Sequence, residues 1–158
     1  MGHTKLPVIL IVIFMVCFVA YMKSYMTIKD EITILQTTVE TIRPNILDEK
    51  LPIIVYDKIV NPLSFIQSIF KWRAISTKET SYSSSLENFM ENKSAYTCIY
   101  SSDSDATVTV NGKVNVILYQ HNLLILPRGW TFSSSSSSSL SLFHIDTMAS
   151  FVASFIPI

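Results

Sequence analysis

Residues that could bind a metal or act in catalysis are few and widely separated in this sequence. The histidines are His3, His121 and His144. His144 and Asp146 have the His-x-Asp spacing of some metal sites, but such a site needs another histidine downstream. The twelve residues that follow Asp146 contain none. Because a divalent ion needs three or four protein ligands, we predict that the chain holds no metal.

Nucleophilic and phosphate-binding motifs are missing as well. Cys17 falls in an apolar run and Cys98 in a predicted strand, so neither is expected as a reactive thiolate. No serine stands in a Gly-x-Ser-x-Gly turn, and the three glycines form no phosphate-binding loop. The 12 basic and 12 acidic residues cancel, which gives no electrostatic basis for binding nucleic acid. We therefore expect no enzyme activity, no cofactor and no nucleic-acid partner.

The apolar excess of the chain lies near its N-terminus. Between Leu6 and Met22 no residue is charged, and Lys5 and Lys23 flank the run. As a helix the run is about 26 Å long, and extension to Ile28 gives the length that crosses a bilayer. We predict a membrane anchor over residues 1–28, which makes the lipid bilayer the first partner of the chain.

A cleaved signal peptide or a buried helix could produce a similar run. The apolar core is longer than the roughly 7–15 residues of a signal peptide, and the best cleavage site, Phe18-Val19-Ala20, begins with a bulky side chain. A retained, single-pass signal-anchor is therefore favoured. Lys5 on one side and Lys23 and Lys29 on the other leave its orientation undetermined.

A heptad-like pattern follows the apolar run. Its steps alternate between four and three residues and predict an amphipathic helical spacer over residues 29–44, which ends at Pro44. A single helix lying on its own domain or on lipid fits this pattern, and so does a coiled coil that forms a homo-oligomer through residues 21–42. The spacer threonines, which are poor helix formers, favour the single helix. The apolar positions are Tyr21, Tyr25, Ile28, Ile32, Leu35, Val39 and Ile42.

Residues 45–158 have the pattern of a mainly β domain with one or two short helices. Asn61-Pro62 predicts the start of a helix that runs to about Trp72, where Lys71 and Arg73 are read as basic residues of a helix end. The polar stretch 76–94 is interpreted as an exposed connection, and it contains a glycosylation sequon at Asn92. Strands are predicted over 51–60, 96–100, 106–119 (as a hairpin), 123–126 and 140–145.

Two further segments complete this part of the chain. Seven consecutive serines, 133–139, predict a flexible loop. Residues 146–156 predict a capped C-terminal helix. Its inward side chains are expected to be Met148, Phe151, Val152 and Phe155.

The hairpin within 106–119 is predicted to turn at Asn111-Gly112. A two-residue loop would set the valines of one strand opposite polar residues of the other. A three-residue loop over 110–112 pairs Val108 with Val114 and makes one side of the hairpin apolar. We predict the three-residue loop, with Gly112 in the left-handed conformation.

The stretch from Val108 to Phe132 resembles the cupin and jelly-roll pattern. In that pattern a hairpin with a glycine turn precedes an apolar strand and a Pro-x-Gly-x-x-His element. Pro127 and Gly129 match the element, whereas Phe132 takes the place of its histidine, and His121 stands where a glycine is expected. The resemblance implies a small cupin-like or jelly-roll β domain, complete or incomplete.

Metal-binding members of that family take two histidines and a glutamate from an earlier strand. This chain has no histidine between His3 and His121, and Phe132 occupies the last ligand position. The resemblance therefore implies the fold without its metal site. Phe132 is expected to fill the mouth of the barrel instead.

An N-terminal anchor followed by a small β domain, with LPIIVYDKIVNP between them, resembles membrane proteins of large DNA viruses. That resemblance implies a host or virion membrane. Two functions remain open: a structural or interaction protein that displays its β domain at a membrane, and a membrane-tethered module that binds a small ligand without metal. A filled interior favours the first function, and an open pocket with converging polar groups favours the second.

Overall fold

The computed structural model describes residues 5–27, 33–82, 86–135 and 139–155 of the 158-residue chain. A long N-terminal helix precedes a domain of short strands and helices, so the predicted α+β class is confirmed. The elements are α1 (Lys5–Met26), β1 (Leu35–Thr37), a 3₁₀ helix (Pro44–Glu49), β2 (Ile53–Val55), α2 (Pro62–Phe70), β3 (Ala74–Tyr82), β4 (Leu86–Glu91), β5 (Tyr96–Ser101), β6 (Ala106–Val110), β7 (Val114–Leu118), β8 (Leu123–Pro127), β9 (Thr131–Ser134), β10 (Leu140–Thr147) and α3 (Met148–Ala153).

The strands form two sheets that pack face to face. The larger sheet has the order β1-β2-β8-β5-β10-β3, and the smaller has the order β4-β9-β6-β7. Neighbouring strands are antiparallel, apart from the parallel pair β1 and β2. The 3₁₀ helix and α2 cover the outer face of the larger sheet. The domain therefore has three layers: helices, the larger sheet and the smaller sheet.

The strands β2, β5 and β8 of the larger sheet are buried on both faces, which explains their continuous apolar runs. Along β8, Leu124 and Leu126 point into the core between the sheets, while Leu123 and Ile125 point toward α2. The same alternation recurs in β2 and β5. The apolar run predicted as a fully buried strand at 123–126 is thus confirmed.

The space between the two sheets is filled by large apolar side chains. Trp130 and Phe132 are both buried there against leucines of the larger sheet and valines of the smaller sheet. Phe132, predicted to fill the barrel mouth, is part of this core. Dense packing of this kind leaves little room for a ligand between the sheets.

The local signals at α2 and at the hairpin are confirmed in the main. The Asn61 side chain accepts a hydrogen bond from the Ser64 N–H, and Pro62 is the first helical residue. The hairpin loop has three residues, as predicted, but it comprises 111–113 rather than 110–112, so Val110 pairs with Val114. This register keeps valine opposite valine, and Gly112 has a φ of 64°.

The predicted helical spacer over residues 29–44 is not an α-helix in the part that the structure describes, residues 33–44. Leu35 lies in β1, and its N–H donates to the carbonyl oxygen of Pro52. Val39 is in a turn, and Ile42 packs on the helix side of the larger sheet. Pairing with β2 satisfies the backbone of β1, and Leu35 and Ile42 become partly buried against the core; this gain outweighs the heptad spacing. Ile28 and Ile32 lie outside the described residues.

Two polar segments that we read as loops contain strands. The stretch 76–94 includes most of β3 and all of β4, and β3 forms an edge of the larger sheet beside β10. Polar side chains suit an edge strand, because one side of it faces solvent. Within the serine run, Ser133 and Ser134 belong to β9, and the Ser134 hydroxyl donates to the carbonyl oxygen of Thr107. Residues 136–138 lie outside the described residues.

The C-terminal helix forms, but with a different face inward. Thr147 and Ser150 form a capping box at the start of α3, and the buried side chains are Ala149, Ser150 and Ala153. The small residues let α3 approach the sheet closely. The prediction that the large apolar side chains point inward is therefore wrong. Val152 is half-buried, and the other three are exposed: Met148, Phe151 and Phe155.

Replacement of Gly112 by valine tests the hairpin turn. A β-branched side chain resists positive φ, so we expect Gly112→Val to lower the free energy of unfolding by about 1 kcal/mol or more. Lys113→Val, at the next residue of the loop, is the control and should change it far less. Equal unfolding midpoints for the two variants in detergent solution would contradict the turn geometry.

Candidate functional site

A cleft of about 460 Å³ lies where the C-terminal end of α1 meets the β domain. Four segments of the domain line it: the end of the 3₁₀ helix, the residues after α2, the start of β5, and the turn between β8 and β9. The start of α3 closes another side. The cleft is therefore built by the junction between α1 and the β domain, outside the filled core.

Basic side chains predominate among the charged residues that line this cleft. Lys50, Arg73 and Arg128 contribute positive charges, and Asp48 contributes the one carboxylate among the lining residues. The lining therefore carries an excess of two positive charges, although the whole chain has none. An arrangement of this kind attracts an anion.

Arg73 and Asp48 form a two-point ion pair at the rim. The Arg73 Nη2 atom lies 3.0 Å from Asp48 Oδ2, and Nη1 contacts Oδ1. This hydrogen bonding lowers the pKa of Asp48; burial opposes the lowering, and the attraction of the Arg73 charge adds to it. The pair is exposed to solvent, so it contributes little stability, but it fixes the direction of the guanidinium.

Tyrosines form the apolar wall of the cleft. Tyr96 donates its hydroxyl to the carbonyl oxygen of Leu47 at 3.2 Å, and burial raises its pKa to about 12, so it stays neutral. Tyr25 comes from α1, and Lys50 lies over its ring with the amine 6.0 Å from the centroid. The Lys50 amine also donates to the carbonyl oxygen of Ser24. Lys50 thereby ties the last turn of α1 to the domain.

The turn that presents Arg128 is held by Asn92. The Arg128 N–H donates to the carbonyl oxygen of Ala95 at 3.0 Å, and the Gly129 N–H donates to that of Asn92 at 2.9 Å. Gly129 has a φ of 82°, which suits a residue without a side chain. Pro127 and Gly129, the two residues that match the cupin-like element, therefore have a structural role. They form the turn that places Arg128 in the cleft.

Asn92, predicted as a glycosylation site, is only 2 % exposed. Its side-chain amide donates to the carbonyl oxygen of Leu126 at 2.8 Å, and its side-chain oxygen accepts from the Thr97 hydroxyl at 2.7 Å. A glycan on this nitrogen would need space that the folded domain does not offer at a residue this deeply buried. The burial therefore argues against a glycan at this sequon in the folded protein.

His144 extends the same hydrogen-bond chain. Its Nδ1 atom lies 3.0 Å from the Thr97 hydroxyl oxygen. Because Thr97 gives its proton to Asn92, the Nδ1 atom of His144 must carry a proton and donate it. Partial burial lowers the pKa of His144, an effect that the Asp146 charge opposes and the Lys78 charge reinforces.

The remaining candidate side chains do not converge. Among the described residues, no three histidine, cysteine, aspartate or glutamate side chains lie together as a metal-ion site. His121 sits in the turn before β8, and its Nδ1 atom lies 2.8 Å from the Tyr100 hydroxyl oxygen. Cys98 is fully buried, and burial raises its pKa, so its thiol stays protonated. The absence of metal remains a prediction.

The basic cleft cannot be found from the sequence alone, because its residues are far apart in the chain. Lys50 follows the 3₁₀ helix, Arg73 follows α2 and Arg128 follows β8. The run Lys71-Trp72-Arg73 was the one local signal, and it fitted a helix end equally well. Trp72 is 90 % exposed, which a helix end alone does not explain.

The comparisons with known proteins give distant structural likenesses. No protein-family model and no curated protein matches the sequence. A crystal structure of a protein from Neisseria meningitidis has a TM-score of 0.38 and 10% identity, over 44% of this chain and 72% of that one. A cupin-2 domain containing protein from Shewanella frigidimarina has a TM-score of 0.36 and 13% identity, over 56% of this chain and 94% of that one. Likenesses this distant assign no activity, and neither of the two proteins is described as a viral membrane protein.

Truncation of Asn92 tests its part in the turn. Asn92→Ala leaves the Leu126 carbonyl without its buried donor, so we expect a loss of about 1–3 kcal/mol in the free energy of unfolding. Asn115→Ala removes an exposed asparagine that also accepts one side-chain hydrogen bond, and it should cost about 0.5 kcal/mol or less. A glycan on Asn92 of the folded protein, or equal losses for the two variants, would contradict this account.

The lowered pKa of His144 predicts a pH dependence of stability. Below its ordinary pKa of 6.5 the unfolded chain takes up a proton that the folded protein resists. The melting temperature of the wild type should therefore fall as the pH drops below 6.5, toward the folded-state pKa, and stay unaffected by this group above it. His144→Gln should flatten that dependence. A variant with the slope of the wild type would show that His144 is not its source.

Proposed function

We propose that this chain is a single-pass membrane protein that holds a small, non-catalytic, cupin-like β domain at a membrane surface, as a structural or interaction module. The observation that carries the proposal is the surface of α1. Over Pro7–Met26 the helix is long and apolar enough to cross a membrane by length and composition, and nearly all of it is exposed. Water solvates such a surface poorly, whereas a bilayer core matches it.

The filled interior supports an interaction module over a pocket protein. Trp130, Phe132 and Leu142 occupy the space between the sheets, where a small ligand of a jelly-roll protein would sit. The alternative function, a metal-free ligand-binding module, would therefore have to use the junction cleft outside the core. Self-association remains a prediction, although not through a continuous helical seam, since Leu35 lies in a strand. A host or virion membrane likewise remains a prediction.

Extraction at alkaline pH tests the anchor. The wild-type chain should stay with the membrane fraction in sodium carbonate, whereas Val12→Arg should be released, because a central arginine costs about 2.5–3.5 kcal/mol on insertion. Val60→Arg makes the same change at a domain residue that is 85 % exposed, and it should behave as the wild type. Release of the wild type, or a size that indicates cleavage after α1, would overturn the proposal.

A further inference from the structure

The position of the junction cleft relative to the bilayer follows from the length of α1. Its apolar part, Pro7–Met26, has 20 residues and spans about 30 Å, which equals the thickness of the hydrocarbon core. The last turn of α1 therefore reaches the headgroup layer. Tyr21, Ser24 and Tyr25 of this last part line the cleft, so the cleft opens at the same level.

Exposed apolar side chains of the domain lie near the cleft, at the end of α1. Trp72 lines the cleft and is 90 % exposed, and Met148 at the start of α3 lines it too. Phe151 on the exposed face of α3 and Phe155 just after this helix contact each other edge to face. The helices α1 and α3 are in contact, so these exposed side chains lie on, or just after, a helix that packs beside α1. Tryptophan and tyrosine are the residues that favour the membrane interface.

The basic side chains of the cleft favour anionic lipid headgroups over neutral ones. Arg128 meets no carboxylate in a salt bridge among the described residues, and Arg73 lines the cleft while both of its Nη atoms contact Asp48. Lys50 adds a third positive charge. Guanidinium groups bind phosphate oxygens through paired N–H donors, and basic pockets at the membrane surface bind anionic headgroups.

We propose that the cleft between α1 and the β domain is a binding site for the phosphate headgroup of an anionic phospholipid, with Arg128, Arg73 and Lys50 as its cations. The inference rests on the proposed membrane anchoring. Trp72 and the exposed face of α3 enter the interface beside the bound lipid. The β domain then rests on the bilayer, and its outer surface away from α1 faces other molecules.

Lipid retention by the full chain tests this site. The protein is purified in mild detergent, stripped of lipid and mixed with equal amounts of phosphatidylglycerol and phosphatidylcholine, and the retained lipids are quantified by mass spectrometry. We expect a several-fold preference for phosphatidylglycerol. Arg128→Gln should reduce the preference by about fivefold, the factor that one basic side chain contributes near an anionic surface.

Controls separate this site from general charge effects. Lys113→Gln, in the hairpin loop and outside the cleft, should leave the preference unchanged, and Arg128→Lys should keep most of it. The preference of the wild type must also fall as salt is added, because the attraction is electrostatic; this measurement needs no variant to fold. Equal retention of the two lipids, a preference that salt leaves unchanged, or an equal loss in Lys113→Gln would overturn the inference.

Two further outcomes identify what fails. Displacement of phosphatidylglycerol by millimolar inorganic phosphate would overturn the inference, because the cleft would then serve a soluble phosphate compound. If the chain resists carbonate extraction but retains no anionic lipid, the membrane anchor stands and the headgroup site is contradicted. If carbonate releases the chain, the proposed membrane anchoring is contradicted, and the headgroup site with it.

Discussion

The helix α1 presents apolar side chains on every side, and water solvates such a surface only at a large free-energy cost. Its end is joined to β1 by eight residues, 27–34, which cover at most about 28 Å when fully extended. Contacts of Tyr25 with Lys50, and of α1 with α3, shorten that distance further. Wherever α1 resides, the β domain must therefore lie directly at its end.

Inside the domain, the larger sheet is the element on which the other layers depend. Because β2, β5 and β8 are apolar on both faces, the sheet needs a cover on each side. The smaller sheet covers one face, and α2 with the 3₁₀ helix covers the other. These two layers bury the apolar surface that could otherwise line a ligand pocket. The charged side chains of the cleft, such as Arg73 and Arg128, therefore lie at the rim of the sandwich, in the turns that follow α2 and β8.

Some parts of this fold follow from local sequence. Asn61-Pro62 predicts the start of α2, because capping and proline geometry involve only adjacent residues. The valines around Asn111-Gly112 predict which residues share a face of the hairpin, although the loop is displaced by one residue. Such signals are reliable because few partners outside the segment can alter them.

Other parts depend on partners that are distant in the chain. Leu35 becomes a strand residue because Ile53 is beside it, and the polar strand β3 exists because β10 pairs with it. Asn92 looks like a surface sequon until Leu126 and Thr97 enclose it. The cleft is the extreme case, because its basic residues come together only after the domain has folded. These residues are Lys50, Arg73 and Arg128.

If the β domain rests on the membrane surface at the end of α1, as we propose, Trp72 must lie at the depth of the lipid headgroups. The chain has two tryptophans, Trp72 at the cleft and Trp130 in the core. In bilayers with a quenching group at the headgroup or at the end of the acyl chain, the headgroup quencher should reduce Trp72 fluorescence more strongly. The Trp72→Phe variant, which retains Trp130, should show little quenching by either lipid. Equal fluorescence of the wild type with and without quenching lipids would place Trp72 in water and contradict the account.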